Sequence, residues 1–209
     1  MTAGSPVDAT LARAAETGRP TLRVTTPAPC VAFGPRDRRT PGYSRAREAA
    51  RCRGYAPVER SVGGRAAAYT GRTVAFALAA PARESLTARY DRVRSRLADA
   101  LSALGARVEA GEPPESFCPG NGLRAVDGGK LAGLAQRVRA EVAAVAGCVL
   151  VDDRTAQRAV LTPVYRALDL PFDPAAVGDL ASAGAAVDPE AVARALRRAL
   201  APGERRSER

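Results

Sequence analysis

Val126-Asp127-Gly128-Gly129-Lys130-Leu131-Ala132-Gly133-Leu134-Ala135-Gln136-Arg137 is the stretch on which the reading of this chain turns. Asp127-Gly128-Gly129 is a tight-turn signal, and the residues after it predict a strand over 130–137. Lys130, which opens that strand, is the one lysine among 32 basic residues; every other is arginine. The chain also has one asparagine, Asn121, and no histidine, isoleucine or tryptophan. That bias points to a genome that disfavours A/T-rich codons, so that arginine stands wherever a guanidinium serves. A surviving lysine is then a candidate for work that needs a compact ammonium able to lose its proton.

Just upstream, Ser116-Phe117-Cys118-Pro119-Gly120-Asn121-Gly122 places a cysteine in a Pro/Gly loop. A hairpin through the turn carries Lys130 back toward Cys118, and a nearby ammonium gives a thiol more thiolate character. Taken alone, Cys118 reads as an inert turn cysteine. Cys148, in a strand of small residues, is the rival nucleophile; Cys30 and Cys52 read as structural. A second segment, Glu59-Arg60-Ser61-Val62-Gly63-Gly64-Arg65-Ala66, sets paired glycines after a strand. Such a turn aims backbone N–H groups at a phosphate or carboxylate, and Arg60 and Arg65 flank it with charge. By itself a Gly-Gly pair more often marks only a turn.

Composition narrows the classes. A chain of 209 residues with 46% hydrophobic content can bury one full core, built here mostly from Ala, Val and Leu. No run reaches the roughly 18 apolar residues of a membrane span. Met1 to Pro6 lacks the pattern of a signal peptide. Four cysteines without a CxxC pair, and no histidine, argue against a zinc site and for a reduced, cytoplasmic protein. The net charge of +10 comes with only 4% aromatics, spread arginines and no nucleic-acid module, so nucleic acid is not the expected partner. Attraction to an acidic protein fits the charge, and Arg205-Arg206-Ser207-Glu208-Arg209 reads as a solvated basic tail.

Periodicity predicts helices over 8–16, 44–52, 84–104, 154–168 and 189–200, with Pro163 kinking or dividing the fourth. Strands are expected over 22–25, 30–33, 57–60, 73–79, 106–109, 130–137 and 142–151. In the clearest of these, Val74, Phe76 and Leu78 share one face and Ala75, Ala77 and Ala79 the other. The alanine face leaves room for something to lie on it, and close packing by a helix is the expected use. On the long helix Leu86, Tyr90, Val93, Leu97, Leu101 and Leu104 form the apolar stripe. Strands clustered between helices give an α+β domain.

At these residues the chain resembles the biotin/lipoate protein ligase and octanoyltransferase superfamily, in its lipoate branch. That branch has an arginine before a glycine pair and a small apolar run, here Arg60 through Ala68. It also has a Gly-x-Lys-x-x-Gly-x-Ala-Gln strand, here Gly128 through Gln136. Ala32-Phe33-Gly34-Pro35-Arg36-Asp37 is similar to its N-terminal part, and the resemblance covers roughly 22–180. It implies a mixed central sheet packed with helices, as in class II aminoacyl-tRNA-synthetase and biotin-ligase catalytic domains. On this view 21–183 is the catalytic domain, 1–20 a helical extension, and 184–209 a C-terminal helix and basic tail.

The branches of the superfamily differ in chemistry. The Gly-Arg-Gly-Arg loop of biotin ligases is absent here. Ligases that activate lipoate with ATP have three glycines, a histidine a few residues on, and Asn-Asp before the lysine. This chain has Gly63-Gly64-Arg65, Tyr69 and Asn121-Gly122. Cys118-Pro119-Gly120 is instead similar to the loop of a branch that moves an octanoyl or lipoyl group through a cysteine thioester onto a lysine of a lipoyl domain. The resemblance then makes Cys118 the nucleophile. Lys130 lowers its pKa and hydrogen-bonds the acyl carbonyl or passes a proton. Arg60, Gly63, Gly64, Arg65, Asn121 and Gly133 bind substrate. No cofactor is expected to stay bound, the lipoyl or octanoyl group being substrate; an AMP-forming ligase, the alternative, would use ATP and Mg. Expected partners are an acyl carrier protein or lipoyl-domain proteins as donor and acceptor, with no nucleic acid or membrane, and the protein a monomer. A non-catalytic module that kept the fold is the remaining alternative.

Overall fold

In the computed structural model, which describes residues 6–201, helix α1 (Pro6–Thr17) leads into strands β1 (Thr21–Thr25) and β2 (Cys30–Phe33). Helix α2 (Tyr43–Arg51) and strands β3 (Ala56–Glu59), β4 (Ala67–Tyr69) and β5 (Thr73–Pro81) follow. Then come helix α3 (Leu86–Ser102) and strands β6 (Val108–Ala110), β7 (Asn121–Ala125), β8 (Lys130–Arg139) and β9 (Val142–Leu150). Helices α4 (Arg154–Leu168) and α5 (Pro189–Ala199) complete the order. The expected basic tail and the opening residues 1–5 lie outside the described residues.

The α+β class stands, with the strands divided between two sheets. Six form an antiparallel sheet in the order β1-β5-β9-β8-β7-β6, and three form a smaller one, β3-β2-β4. Between strands, the parallel pairing expected of a mixed sheet is confined to β2 and β3 of the smaller sheet; an isolated parallel bridge also joins Lys130 to Val177. Two strands were not expected. β4 is an Ala-Ala-Tyr segment too short to show a period, and β7 begins at Asn121, inside what reads as loop. Leu86 departs from the predicted stripe, being 57% exposed at the overhanging first turn of α3.

Local chemistry accounts for the helix boundaries. Ser85 caps α3 by accepting the Ala88 N–H, and Asp188 caps α5 through Ala191 N–H. Pro163 does not divide α4, which runs unbroken through it. A proline orphans the carbonyl four residues earlier, here that of Ala159. The Arg53 guanidinium, reaching from beyond α2, donates to that carbonyl at 2.7 Å.

The large sheet has two unlike faces. Val74, Phe76, Leu78, Val145, Val149 and Leu134 pack against Val93, Leu97 and Leu101 of α3 and Val192 and Leu196 of α5. Strand alternation sends small residues to the other face: Ala75, Ala77 and Ala79 of β5, Ala144, Ala146 and Cys148 of β9, and Gly133 and Ala135 of β8. This face is a low floor. One end is covered by α1, whose Leu11 and Ala14 lie over Ala77, Ala79 and Ala144. Burying a leucine there contributes about 1.5–3 kcal/mol. The other end is covered by the small sheet with α2 and α4. The alanine face thus takes the expected helix, but only over part of its length. Among the described residues no helix is long and apolar enough to cross a membrane.

Candidate functional site

β7 and β8 form the hairpin that brings Lys130 back to the cysteine loop. Lys130 Nζ donates to the carbonyls of Phe117 at 3.0 Å and Cys118 at 2.8 Å. Cys118 itself has φ +42°, a left-handed conformation that costs a non-glycine residue roughly 1–3 kcal/mol and persists only where neighbours over-determine it. They do so here. Its N–H donates to the hydroxyl of Tyr165 at 2.6 Å, its carbonyl accepts from Lys130, and its Sγ accepts from Arg60 Nη2 at 3.0 Å. Each polar group of Cys118 is held by a different element.

Arg60 follows β3 and turns inward, its Nη2 shared between Cys118 Sγ and the carbonyl of Arg65. Gly63 has φ +85°, and a Cβ there would come within 3.1 Å of the Arg60 guanidinium, so only glycine lets the loop close over that side chain. Burial pushes the Cys118 thiol up. Arg60, then Lys130, then the N–H groups of Arg65 and Gly64 pull it down, and the net direction is below the ordinary thiol value. Burial works against the charge of Arg60, but Cys118, Tyr69 and Cys148 hold its pKa above the usual guanidinium value. Cys148 and Cys30 shift the other way, raised by burial. Of the two candidates, Cys118 is the one whose thiol touches a guanidinium and shifts toward the thiolate.

The expected substrate-binding residues divide. Arg60, Gly64 and the backbone of Arg65 meet at the sulfur. The Arg65 side chain instead faces buried Asp37 at 3.5 Å, and Asp37 accepts the Gly34 N–H. Asn121 goes to the opposite side of the sheet, where its side chain accepts from Arg94 of α3 at 3.4 Å. It pairs with Leu134, a core residue of the α3 face, while its neighbour Gly122 pairs with Gly133 on the floor side. Gly133 lies under the Lys130 stem, 3.3 Å from Cε to the position of an added Cβ. Residues three apart on a regular strand face opposite ways; here the register shift opposite Leu123/Arg124 supplies the extra residue, Leu131, that brings them together.

Three participants escaped the sequence reading. Tyr165 bridges the Cys118 N–H to the Ala66 carbonyl, Asp37 anchors Arg65, and Glu112 stands 2.6 Å from Lys130 Nζ. Tyr165 and Glu112 are ordinary residue types in ordinary settings with no local signal; Asp37 closes the family-like stretch 32–37, which marked the segment but not the side chain. Among the described residues no group of three His, Cys, Asp or Glu side chains is placed to hold a metal ion.

Between α1 and the small sheet the floor is left open. A cavity of about 170 Å³ lies there over Ala75, Ala77 and Ala146, walled by Cys30, Val62 and Tyr69. Arg60 lines it too, so one guanidinium borders the cavity and touches the Cys118 sulfur. Small residues underneath an apolar hollow suit a slender hydrocarbon chain.

Comparison with known proteins gives a family. The model described as lipoyl protein ligase A/B catalytic domain matches residues 7–201. An octanoyl-GcvH:protein N-octanoyltransferase of Geobacillus kaustophilus (strain HTA426) is 35% identical over 117 residues, 54% of this chain and 41% of that protein. The match thus spans about two fifths of that relative's length. Among solved structures, lipoate-protein ligase A bound with ATP aligns with a TM-score of 0.69 at 20% identity, covering 86% of this chain and 70% of that one. A structure from work on a bi-partite lipoate protein ligase and its E2 lipoyl domain of Thermoplasma acidophilum aligns with a TM-score of 0.65 at 17% identity, covering 94% of this chain and 79% of that one. At those identities the likeness is one of fold.

Proposed function

The chain belongs to the lipoyl protein ligase A/B catalytic-domain family, and from that premise we propose that it is a protein acyltransferase. It takes an octanoyl or lipoyl group as a thioester on Cys118 and passes it to a lysine amine of a lipoyl domain. One observation carries this reading. The sulfur with the depressed pKa lies 3.0 Å from a guanidinium that also borders an apolar, chain-sized cavity.

In the first step the Cys118 thiolate attacks the acyl carbonyl of the donor. A new C–S bond forms and the bond to the donor's leaving group breaks. A carrier-protein donor leaves as its own thiolate; an amide-linked donor such as octanoyl-GcvH, named for the relative, leaves as an amine that takes up a proton. Arg60 and the N–H groups of Gly64 and Arg65, which hold the thiolate, are then at hand for the tetrahedral oxyanion. In the second step a neutral acceptor lysine attacks the thioester. The amide forms, the amine's proton is released to solvent, and Cys118 departs as thiolate. Lys130 contributes its positive field and its grip on the loop carbonyls. The net charge of +10 favours encounter with an acidic lipoyl domain.

Because the acyl group arrives already bonded to a carrier, as thioester or amide, and is exchanged rather than drawn from a free acid, ATP and Mg are not consumed. The test is to incubate the protein with octanoyl-carrier protein or octanoylated lipoyl domain and a second, unmodified lipoyl domain, without nucleotide. The acceptor should gain one octanoyl group on its lysine, and Cys118→Ser should abolish the gain. Transfer that needs free octanoate and ATP would make the chain an AMP-forming ligase instead.

A further inference from the structure

Gly122 and Gly133 face each other across β7 and β8, and a side chain on either would crowd a charged residue. A Cβ on Gly122 would come 2.7 Å from the Ala132 carbonyl and 2.8 Å from Glu112 Oε1, and one on Gly133 would press on the Lys130 stem, 3.3 Å from Cε. The glycine pair hollows the floor for one ion pair, Lys130 Nζ to Glu112 Oε1 at 2.6 Å, with side chains 1% and 11% exposed. Removing two charges from water costs several kcal/mol per ion unless the remaining donors and acceptors are satisfied.

The partners that satisfy them all come from one short stretch. Lys130 Nζ donates to the carbonyls of Phe117 and Cys118. Glu112 Oε2 accepts the Gly120 N–H at 2.8 Å and, more weakly, the Ser116 hydroxyl at 3.4 Å. Oε1 makes the close ionic contact without hydrogen-bond alignment. Every one of these groups lies in 116–120, the segment that carries Cys118. The pair grips that segment before, at and after the cysteine.

We propose that Glu112 is a positioning residue: one carboxylate oxygen fixes Lys130, the other fixes the loop amide after Cys118, and together they keep the sulfur in register with Arg60. The inference rests on acyl transfer through Cys118, but it can be read on the thiol independently of that reaction. Glu112→Gln keeps the shape and one oxygen, yet sets its NH2 group against a donor in either orientation, the Gly120 N–H or Lys130 Nζ. Glu112→Asp keeps the charge but is too short to serve Lys130 and Gly120 together.

The experiment follows alkylation of Cys118 by iodoacetamide against pH, read at the Cys118 peptide by mass spectrometry, alongside octanoyl loading and thermal melting. In Glu112→Gln the sulfur slips from Arg60 and the loop N–H groups, so the midpoint rises by about 1 pH unit or more. Loading slows by at least ~10-fold, since a misplacement of about 1 Å can cost ~100-fold. Glu112→Asp shows a smaller rise in the same direction. A Glu112→Gln midpoint at or below wild type would reduce Glu112 to a counter-charge for Lys130 and overturn the proposal. If that variant does not fold, a wild-type midpoint and loading rate in Glu112→Asp overturns it equally. Failure of the wild type to load octanoate from any donor counts against acyl transfer, and the midpoints still judge Glu112.

Discussion

The Tyr165 hydroxyl accepts the backbone N–H of Cys118 at 2.6 Å and donates to the Ala66 carbonyl at 2.9 Å. One phenol on α4 thereby ties the cysteine loop to the strand that follows the glycine pair. The two sequence motifs meet at this hydroxyl as well as at the sulfur.

Tyr165→Phe keeps the buried ring and removes only that tie. An unsatisfied buried donor and acceptor cost about 1–3 kcal/mol, which at this chain length lowers Tm by roughly 2–4 °C per kcal/mol. Differential scanning calorimetry should find that loss, with slower alkylation of Cys118 at neutral pH. An unchanged melting curve and alkylation rate would mean that the bond does not hold the loop.

Arg60→Gln removes the largest influence that lowers the Cys118 pKa, and leaves burial, which raises it. In the wild type the thiolate persists to lower pH than in a free thiol, so alkylation stays fast as pH falls below the usual thiol range. In Arg60→Gln the midpoint moves up, and the rate at pH 7 drops by at least ~10-fold, one pH unit being a factor of ten in thiolate. A midpoint that does not move would assign the activation to Lys130 and the loop amides.

Lys130→Arg tests why the chain keeps one lysine. The ammonium fits between two carbonyls and a carboxylate over Gly133, with 1% of the side chain exposed. A planar guanidinium needs more room, and overpacking costs about 1–3 kcal/mol. The chain should still fold, with transfer down by at least ~100-fold from a displaced Cys118 loop. Near wild-type turnover would show that any buried cation suffices.

Cys118, Lys130, Arg60 and the glycine pair, which the structure gathers, were legible because their settings are odd: a lone lysine, a cysteine followed by Pro-Gly, a glycine doublet flanked by arginines. Asn121 is just as odd, but strand alternation sends its side chain to α3. Tyr165 and Glu112 could not be found this way. Tyr165 lies 47 residues from Cys118 and reads as one more apolar position of a helix face; Glu112 is one acid among 22. Their roles exist only once the sheet has closed. Periodicity located the long elements for the physical reason that their burial repeats; β4, with three residues, has no repeat to read.

Asp153, at the start of α4, should impose a pH dependence on stability. Its pKa is raised to about 6 by burial and by Asp152 and Asp179, against the pull of its own backbone N–H and of Arg72, and neither carboxyl oxygen has a hydrogen-bond partner on another residue. The folded state therefore holds a proton that the unfolded chain, at 3.8, has already lost. The contribution of this group is best at low pH and is lost as pH rises from about 4 through about 6. After solvent screening the loss is on the order of 1 kcal/mol. Asp153→Asn should raise Tm at pH 8 by roughly 2–4 °C and flatten the curve between pH 4 and 6. No gain at pH 8 would place the missing partners in solvent.

The central claim is a thioester on Cys118, and intact-mass spectrometry reads it most directly. Wild-type protein incubated with octanoyl-carrier protein, without ATP, should gain one octanoyl group that hydroxylamine removes and that peptide mapping assigns to Cys118. Equal hydroxylamine-labile loading of Cys118→Ser, or an adduct mapped to Cys148, would contradict the account.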